Sequence, residues 1–234
     1  MLYQPYIYPT TMKKTFLLST LLLTAFCTAG HAQSTEVISK KGYKLTVINQ
    51  DAAFDKVEIA KLEETFFVVY PKLEKEYNKK TLKEVTFLID TAYGGVAETG
   101  GGVVKFSSKY MTKHPKDIDV VTHEVMHIVQ GYGDGAGPGW LTEGIADYAR
   151  NKYGVDNPGA HWTLPEFKTT QNYDNAYRVT ARFLIWVEKN YKANLVKTFD
   201  KQLRDHTFTD DSWKKETGKT VDELWTAYAA NPAI

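Results

Sequence analysis

The residues of this 234-residue chain whose types and spacing could do chemistry lie in "HEVMH", which holds His123, Glu124 and His127, and in "EGIAD", which brings Glu143 and Asp147 after a glycine-rich break. On a helix, positions four apart sit about 40° apart around the axis and about 6 Å apart along it, so His123 and His127 leave one face and can share an ion. Gln130 falls close to that face, whereas Ile118, Val121, Val125 and Ile128 gather on the opposite one. Glu124 points to one side of the pair, where it reaches a water beside the metal rather than the metal itself. The spacing H-E-x-x-H is the signature of zinc peptidases. At this chain's content of His and Glu it arises by chance in about one sequence in a hundred, so a third ligand has to decide.

Catalytic zinc takes three protein ligands and leaves a fourth position open. A second helix is expected to begin near Pro138, a residue suited to a first helical turn, and it carries Glu143 and Asp147 on one face, opposite Leu141, Ile145 and Tyr148. Glu143 is assigned as the third ligand, with Asp147 one turn on accepting a hydrogen bond from a liganding histidine and fixing its tautomer. The reverse assignment, Asp147 as ligand behind Glu143, stays open. Asp134 lies one position past the place that a compact H-E-x-x-H-x-x-G-x-x-H/D site would use, and Gln130 and Gly133 break that pattern.

Zn2+ in such a set acidifies water and polarises a carbonyl. Glu124 would then take the proton of the attacking water and pass it to a leaving amine, which is peptide hydrolysis without a covalent intermediate. Tyr177 is the candidate donor to the developing oxyanion. His161 and Trp162 are candidates for lining the cleft, and "GVVKF" for an edge strand that pairs with an extended polypeptide substrate. Two other readings compete. One is a non-catalytic binding protein of the same fold at a cell surface, against which the base at Glu124 argues; the other is an exopeptidase, for which Arg150, Arg178 and Arg182 are available as a clamp for a chain terminus.

The elements that must position these residues follow from periodicity. "YKLTVINQ", "EVTFLID" and "GVVKFSS" read as strands. "DKVEIAKLEETFFVVYPKLEKEYN" reads as a helix with Val57, Ile59, Leu62, Phe66, Leu73 and Tyr77 facing the core and Pro71 kinking or dividing it. "GGVAETGGG" reads as a flexible hairpin or loop. From Lys116 onward the pattern is helical almost to the end, the last helix opening on a Thr220/Glu223 capping box. Strands first and helices later make an α+β fold.

Composition limits the partners. Residues 12 to 32, "MKKTFLLSTLLLTAFCTAGHAQ" less its final Gln, have the basic start, short apolar run and small-residue end of a secretory signal peptide, with residues 1 to 11 as an upstream extension. The apolar run is shorter than the ~20 residues of a bilayer span, so no stable membrane insertion is expected. Export to the periplasm or medium is the expected destination, with residues 33–234 forming the working domain. Without residues 1–32 the chain is close to neutral and lacks cysteine, which argues against nucleic acid as a partner and against disulfides as a source of stability.

The segments "HEVMHIVQ", "EGIADYAR", "HW", "AYRVTARFL" and "GKTVDELW", with the glycine-rich loop, run in the order seen in the basic secretory protein family of plants and bacteria, gluzincin-like metallopeptidases that this chain resembles from about Glu84 to its end. The resemblance implies a zincin-like cleft between an N-terminal strand-bearing part and a helical C-terminal part. It also implies ligand roles for His123 and His127, a catalytic role for Glu124, and matches Glu143 and Asp147 to the E-x-x-x-D segment. The near-neutral charge departs from the family's name.

Overall fold

In the computed structural model, which describes residues 33–234, the chain begins with a hairpin, β1 (Ser34–Lys40) and β2 (Tyr43–Asn49). Helix α1 (Lys56–Glu76) crosses to β3 (Glu84–Asp90), and a second hairpin follows, β4 (Ala97–Gly100) and β5 (Val103–Ser107). Then come α2 (Ser108–Lys113), α3 (Val120–Gln130), α4 (Gly139–Tyr153), a 3₁₀ turn at Tyr173–Asn175, α5 (Tyr177–Asn190), α6 (Leu195–Arg204), α7 (Asp211–Thr217) and α8 (Val221–Ala230). The fold is α+β, as the patterning implies, with α1 between β2 and β3 and the other helices after the strands. The expected signal peptide and upstream extension lie outside the described residues. Among the described residues no helix is long and apolar enough to cross a membrane.

The sheet order is β1-β2-β3-β5-β4, parallel at its centre and antiparallel at both outer pairs. β2 and β3 alternate strictly, turning Leu45, Val47, Val85, Phe87 and Ile89 inward. Onto them α1 lays Phe66 and Tyr70, stacked at 4.9 Å, with Phe66 edge-on to Phe87 at 5.6 Å.

Three expectations need correction. Pro71 does not divide α1, which runs unbroken through it; Phe66, Phe67, Tyr70 and Leu73 pack on both sides of the proline and hold the turn that lacks its N–H. Val57 is 61% exposed rather than part of the core, because it sits in the first turn beyond the sheet's reach. "GVVKF" is not an edge strand: β5 is paired on both sides, and the edge is β4. Of the two readings of the glycine-rich stretch, the hairpin holds: β4 comes from it and pairs antiparallel with β5, though four residues between glycines are too few to show alternation.

β1 also went unread, since all but one of its residues are exposed and it carries no apolar face. The capping box at Thr220 and Glu223 forms as expected, with bonds of 2.8 and 3.2 Å.

Candidate metal centre

Helix α3 is held by its apolar back, where Val121 and Val125 are fully buried in the core. It stops at Gly131, whose φ of +52° is a left-handed cap that suits glycine. The loop to α4 turns again at Gly133 and Gly135, both at positive φ, and α4 starts at Gly139 with Pro138 just before it. α4 returns beneath α3 and packs closely on α5. At Gly144 a Cβ would stand 2.2 Å from the Thr180 methyl, so only glycine lets the two helices approach there. The residue beside it is Glu143, which that close approach helps to aim at the histidines.

Nε2 of His123 and Nε2 of His127 are 3.2 Å apart, and Oε2 of Glu143 lies 3.2 Å from the first and 3.5 Å from the second. Each residue offers one donor atom to a common point, and these three form the group that could hold an ion. Four ligands placed tetrahedrally at about 2.0–2.2 Å from zinc are separated by about 3.3–3.6 Å. The triangle therefore has the size and the His₂Glu chemistry of a zinc site.

The outer nitrogens are both engaged. Nδ1 of His123 is 2.7 Å from Oδ1 of Asp147, and Nδ1 of His127 is 2.7 Å from Oε1 of Gln130, whose amide nitrogen in turn donates to the Thr142 carbonyl at 2.9 Å. An ion at the shared point would need both Nε2 atoms as lone-pair donors, and acceptors at both Nδ1 positions favour the tautomer that supplies them, with Nδ1–H donating outward. The structure thus brings Glu143 to the histidines' inner nitrogens and sets Asp147 behind His123. Gln130 was placed on this face by sequence but not given its task; the signal was its position three residues after His127.

The centre favours positive charge. Burial opposes a proton on His123, yet the hydrogen bonds to Asp147 and Glu143 outweigh it and push its pKa up to about 10. Burial likewise disfavours the Glu143 carboxylate, but the two histidines pull it down to about 2. Tyr177 is raised, first by the Glu143 charge and then by burial.

Glu124 is buried at 6% exposure, and the Thr99 hydroxyl lies 2.7 Å from its Oε2 and 3.1 Å from its backbone carbonyl. Thr99 belongs to β4, so the edge strand grips the residue between the two histidines. Nothing in the sequence marked it. Tyr177 does not share the core with its helix neighbours Phe183, Leu184 and Trp186 but is 54% exposed, with its ring 6.1 Å from and nearly parallel to that of His123. Ala176 and Tyr177 have φ of +62° and +51°, a strained entry to α5 at the rim of the site.

All these groups open into one cleft of about 1400 Å³, which also takes in β4, His161, Trp162 and Arg178. Asp134 lines the cleft but is not among the three grouped donors. Arg150 and Arg182 are both committed elsewhere: Arg150 pairs with Asp117, and Arg182 bonds Tyr228 and the Pro232 carbonyl.

A cleft between a mixed sheet and a helical half, with two histidines and an acid converging from consecutive helices, defines a zincin-like fold. Residues 34–228 match the model of the BSP family, peptidase of plants and bacteria, and the chain belongs to that family. No curated protein sequence matches it. Among solved structures it is similar to a mutant two-domain M1 zinc metallopeptidase bound to L-tryptophan, at 14% identity and a TM-score of 0.50 over 87% of this chain and 52% of that one. A mutant M1 zinc metallopeptidase from Deinococcus radiodurans bound to a Tyr-Ser-Ala substrate aligns at 12% identity and a TM-score of 0.49, over 87% of this chain and 53% of that one. The chain spans about half the length of these M1 proteins, and the likeness is one of fold.

Proposed function

We propose that the chain is a zinc-dependent peptidase that hydrolyses peptide bonds with water, Glu124 serving as general base and His123, His127 and Glu143 holding the metal. The observation that carries this is the triangle of Nε2, Nε2 and Oε2 atoms at 3.2–3.5 Å, of the size zinc needs. Zinc bound there supplies Lewis acidity toward the scissile carbonyl and acidity to water.

The protein's own groups do the rest. Asp147 and Gln130 keep both imidazoles in the tautomer that ligates. Thr99 holds Glu124 by one oxygen and leaves the other to take a proton from the attacking water and pass it to the leaving amine. The Tyr177 hydroxyl, at the rim beside His123, is the donor to the oxyanion. The substrate lies extended along β4 rather than β5, since β4 is the edge strand on the cleft. A cleft of about 1400 Å³ suits an internal stretch of polypeptide, hence an endopeptidase. Export to the periplasm or medium rests on the character of residues 12 to 32. A non-catalytic binding protein of this fold has no use for a buried glutamate held beside the metal ligands.

The test is cleavage of an unstructured protein by the zinc-loaded chain, with chelated protein and Glu124→Gln as controls. Hydrolysis confined to the loaded wild type is the expected result. Equal cleavage by Glu124→Gln removes the general base from the account.

A further inference from the structure

The chain has four arginines, Arg150, Arg178, Arg182 and Arg204. Arg150 pairs with Asp117, Arg182 with Glu166 at 3.3 Å and Arg204 with Asp200 at 2.6 Å. Arg178 has no carboxylate within ion-pair distance among the described residues, and it is the one that is exposed on the cleft directly after Tyr177. An unpaired arginine is common on an open surface; this one is held in place. Its guanidinium lies over the Trp162 ring at 6.0 Å, and Nη1 donates to the Thr163 carbonyl at 3.3 Å. Arg150 lies over the same ring at 4.7 Å, its own charge offset by Asp117.

The platform is tied to the metal helix. Asp119, the residue before α3, accepts from the backbone N–H groups of Val155 and Asp156 at 2.7 and 2.6 Å, and Arg150 Nε donates to Asn157 at 3.0 Å. The loop bearing Trp162 is thus anchored at a fixed place relative to His123. The acids nearest the centre are already engaged: Glu143 and Asp147 by the histidines, Glu124 by Thr99. What the wall offers a ligand is one guanidinium without a carboxylate partner and with most of its five N–H donors unused, placed by the Thr163 carbonyl and the nearby Trp162 ring, and a guanidinium can receive a carboxylate in two parallel hydrogen bonds.

We propose that Arg178, beside Trp162, forms a carboxylate-binding subsite of the cleft. It takes either an acidic side chain of a polypeptide bound across the metal centre or that polypeptide's free C-terminus. The proposal rests on the peptidase reading, and it gives that reading a substrate preference.

Four peptides at each scanned position test it, carrying Glu or Gln there and a free or amidated C-terminus. Binding is read by fluorescence anisotropy on the zinc-loaded Glu124→Gln protein, and cleavage separately on the wild type; Arg178→Ala is made in both backgrounds. Neutralising the recognised carboxylate is expected to weaken binding about tenfold with Arg178 present and by little in Arg178→Ala. Loss on Glu-to-Gln exchange identifies a side chain; loss on amidation identifies the terminus and makes the enzyme a carboxypeptidase. Equal binding of all four peptides, or discrimination that persists in Arg178→Ala, overturns the subsite. If the discriminating binding is found while the wild type cleaves nothing, the subsite stands and the peptidase reading fails.

Discussion

The helix pair α3 and α4 and the helices α5, α7 and α8 are both well buried, yet they are made of opposite materials. Between α3 and α4 the buried side chains include His123, Glu124, Gln130 and Asp147. Between α5, α7 and α8 they are mainly aromatic and aliphatic, Phe183, Trp213, Leu224 and Tyr228 beside the single guanidinium of Arg182, with Phe183 stacked on Trp213 at 5.9 Å and edge-on to Tyr228 at 5.6 Å. The polar cluster is closed: none of the buried side-chain polar atoms left without a partner belongs to it. The aromatic cluster has little direction and much area. The first is specified by angles and tautomers, the second by volume, so the two should respond differently to substitutions of the same size.

The largest expected effect is on catalysis alone. Glu124→Gln keeps shape and the Thr99 contact but removes the base, and turnover should fall by about 10² to 10⁴ with unchanged zinc content and melting temperature. Trp213→Ala should do the opposite. Removing a fully buried indole is expected to lower unfolding free energy by about 3–5 kcal/mol, seen in the denaturant midpoint, while the folded fraction retains its zinc affinity. A loss of zinc affinity per folded molecule would show that the two regions are not separable.

Asp147→Asn sharpens the comparison further, because it exchanges one buried atom and little volume. An amide can turn its nitrogen toward His123 Nδ1 and disturb the tautomer, so zinc affinity should drop about 10- to 100-fold in competition with a chelator, with stability of the metal-free protein little changed. The smallest effect lies outside both regions. Glu58, in the first turn of α1, is buried with Oε1 unpartnered among the described residues, and burial followed by the Asp55 charge raises its pKa from 4.5 to about 7. A carboxyl raised in the folded state binds its proton more tightly there than when unfolded. Its stabilisation is therefore full below pH 4.5 and is lost as pH rises to about 7. Glu58→Gln should flatten that decline, gaining about 1 kcal/mol at pH 8 after allowance for solvent screening, as read from thermal unfolding across pH.

The metal helices were legible because their information is local. His123 and His127 lie one turn apart, Glu143 and Asp147 lie one turn apart, and apolar residues mark the other face of each helix. The parts that were not legible depend on contacts far apart in sequence. Thr99 meets Glu124 across 25 positions, and β4 is a strand only because β5 pairs with it. Pro71 looked like a break because its missing N–H is a local loss, whereas the packing of Phe66 and Tyr70 that offsets it is tertiary. Tyr177 resembled its apolar neighbours in spacing, and its exposure followed from the strained turn at Ala176, which no periodicity announces. Arg178 differs from Arg150 and Arg182 only in what surrounds it.

The central claim is that the α3–α4 hairpin binds one zinc through His123, His127 and Glu143, with Asp147 behind. The most direct measurement is a zinc titration of the metal-free chain by calorimetry, repeated for Glu143→Ala and Asp147→Ala. One zinc per chain for the wild type, with the larger loss of affinity in Glu143→Ala, is the predicted result. No stoichiometric binding, or zinc retained by Glu143→Ala and lost by Asp147→Ala, would contradict it.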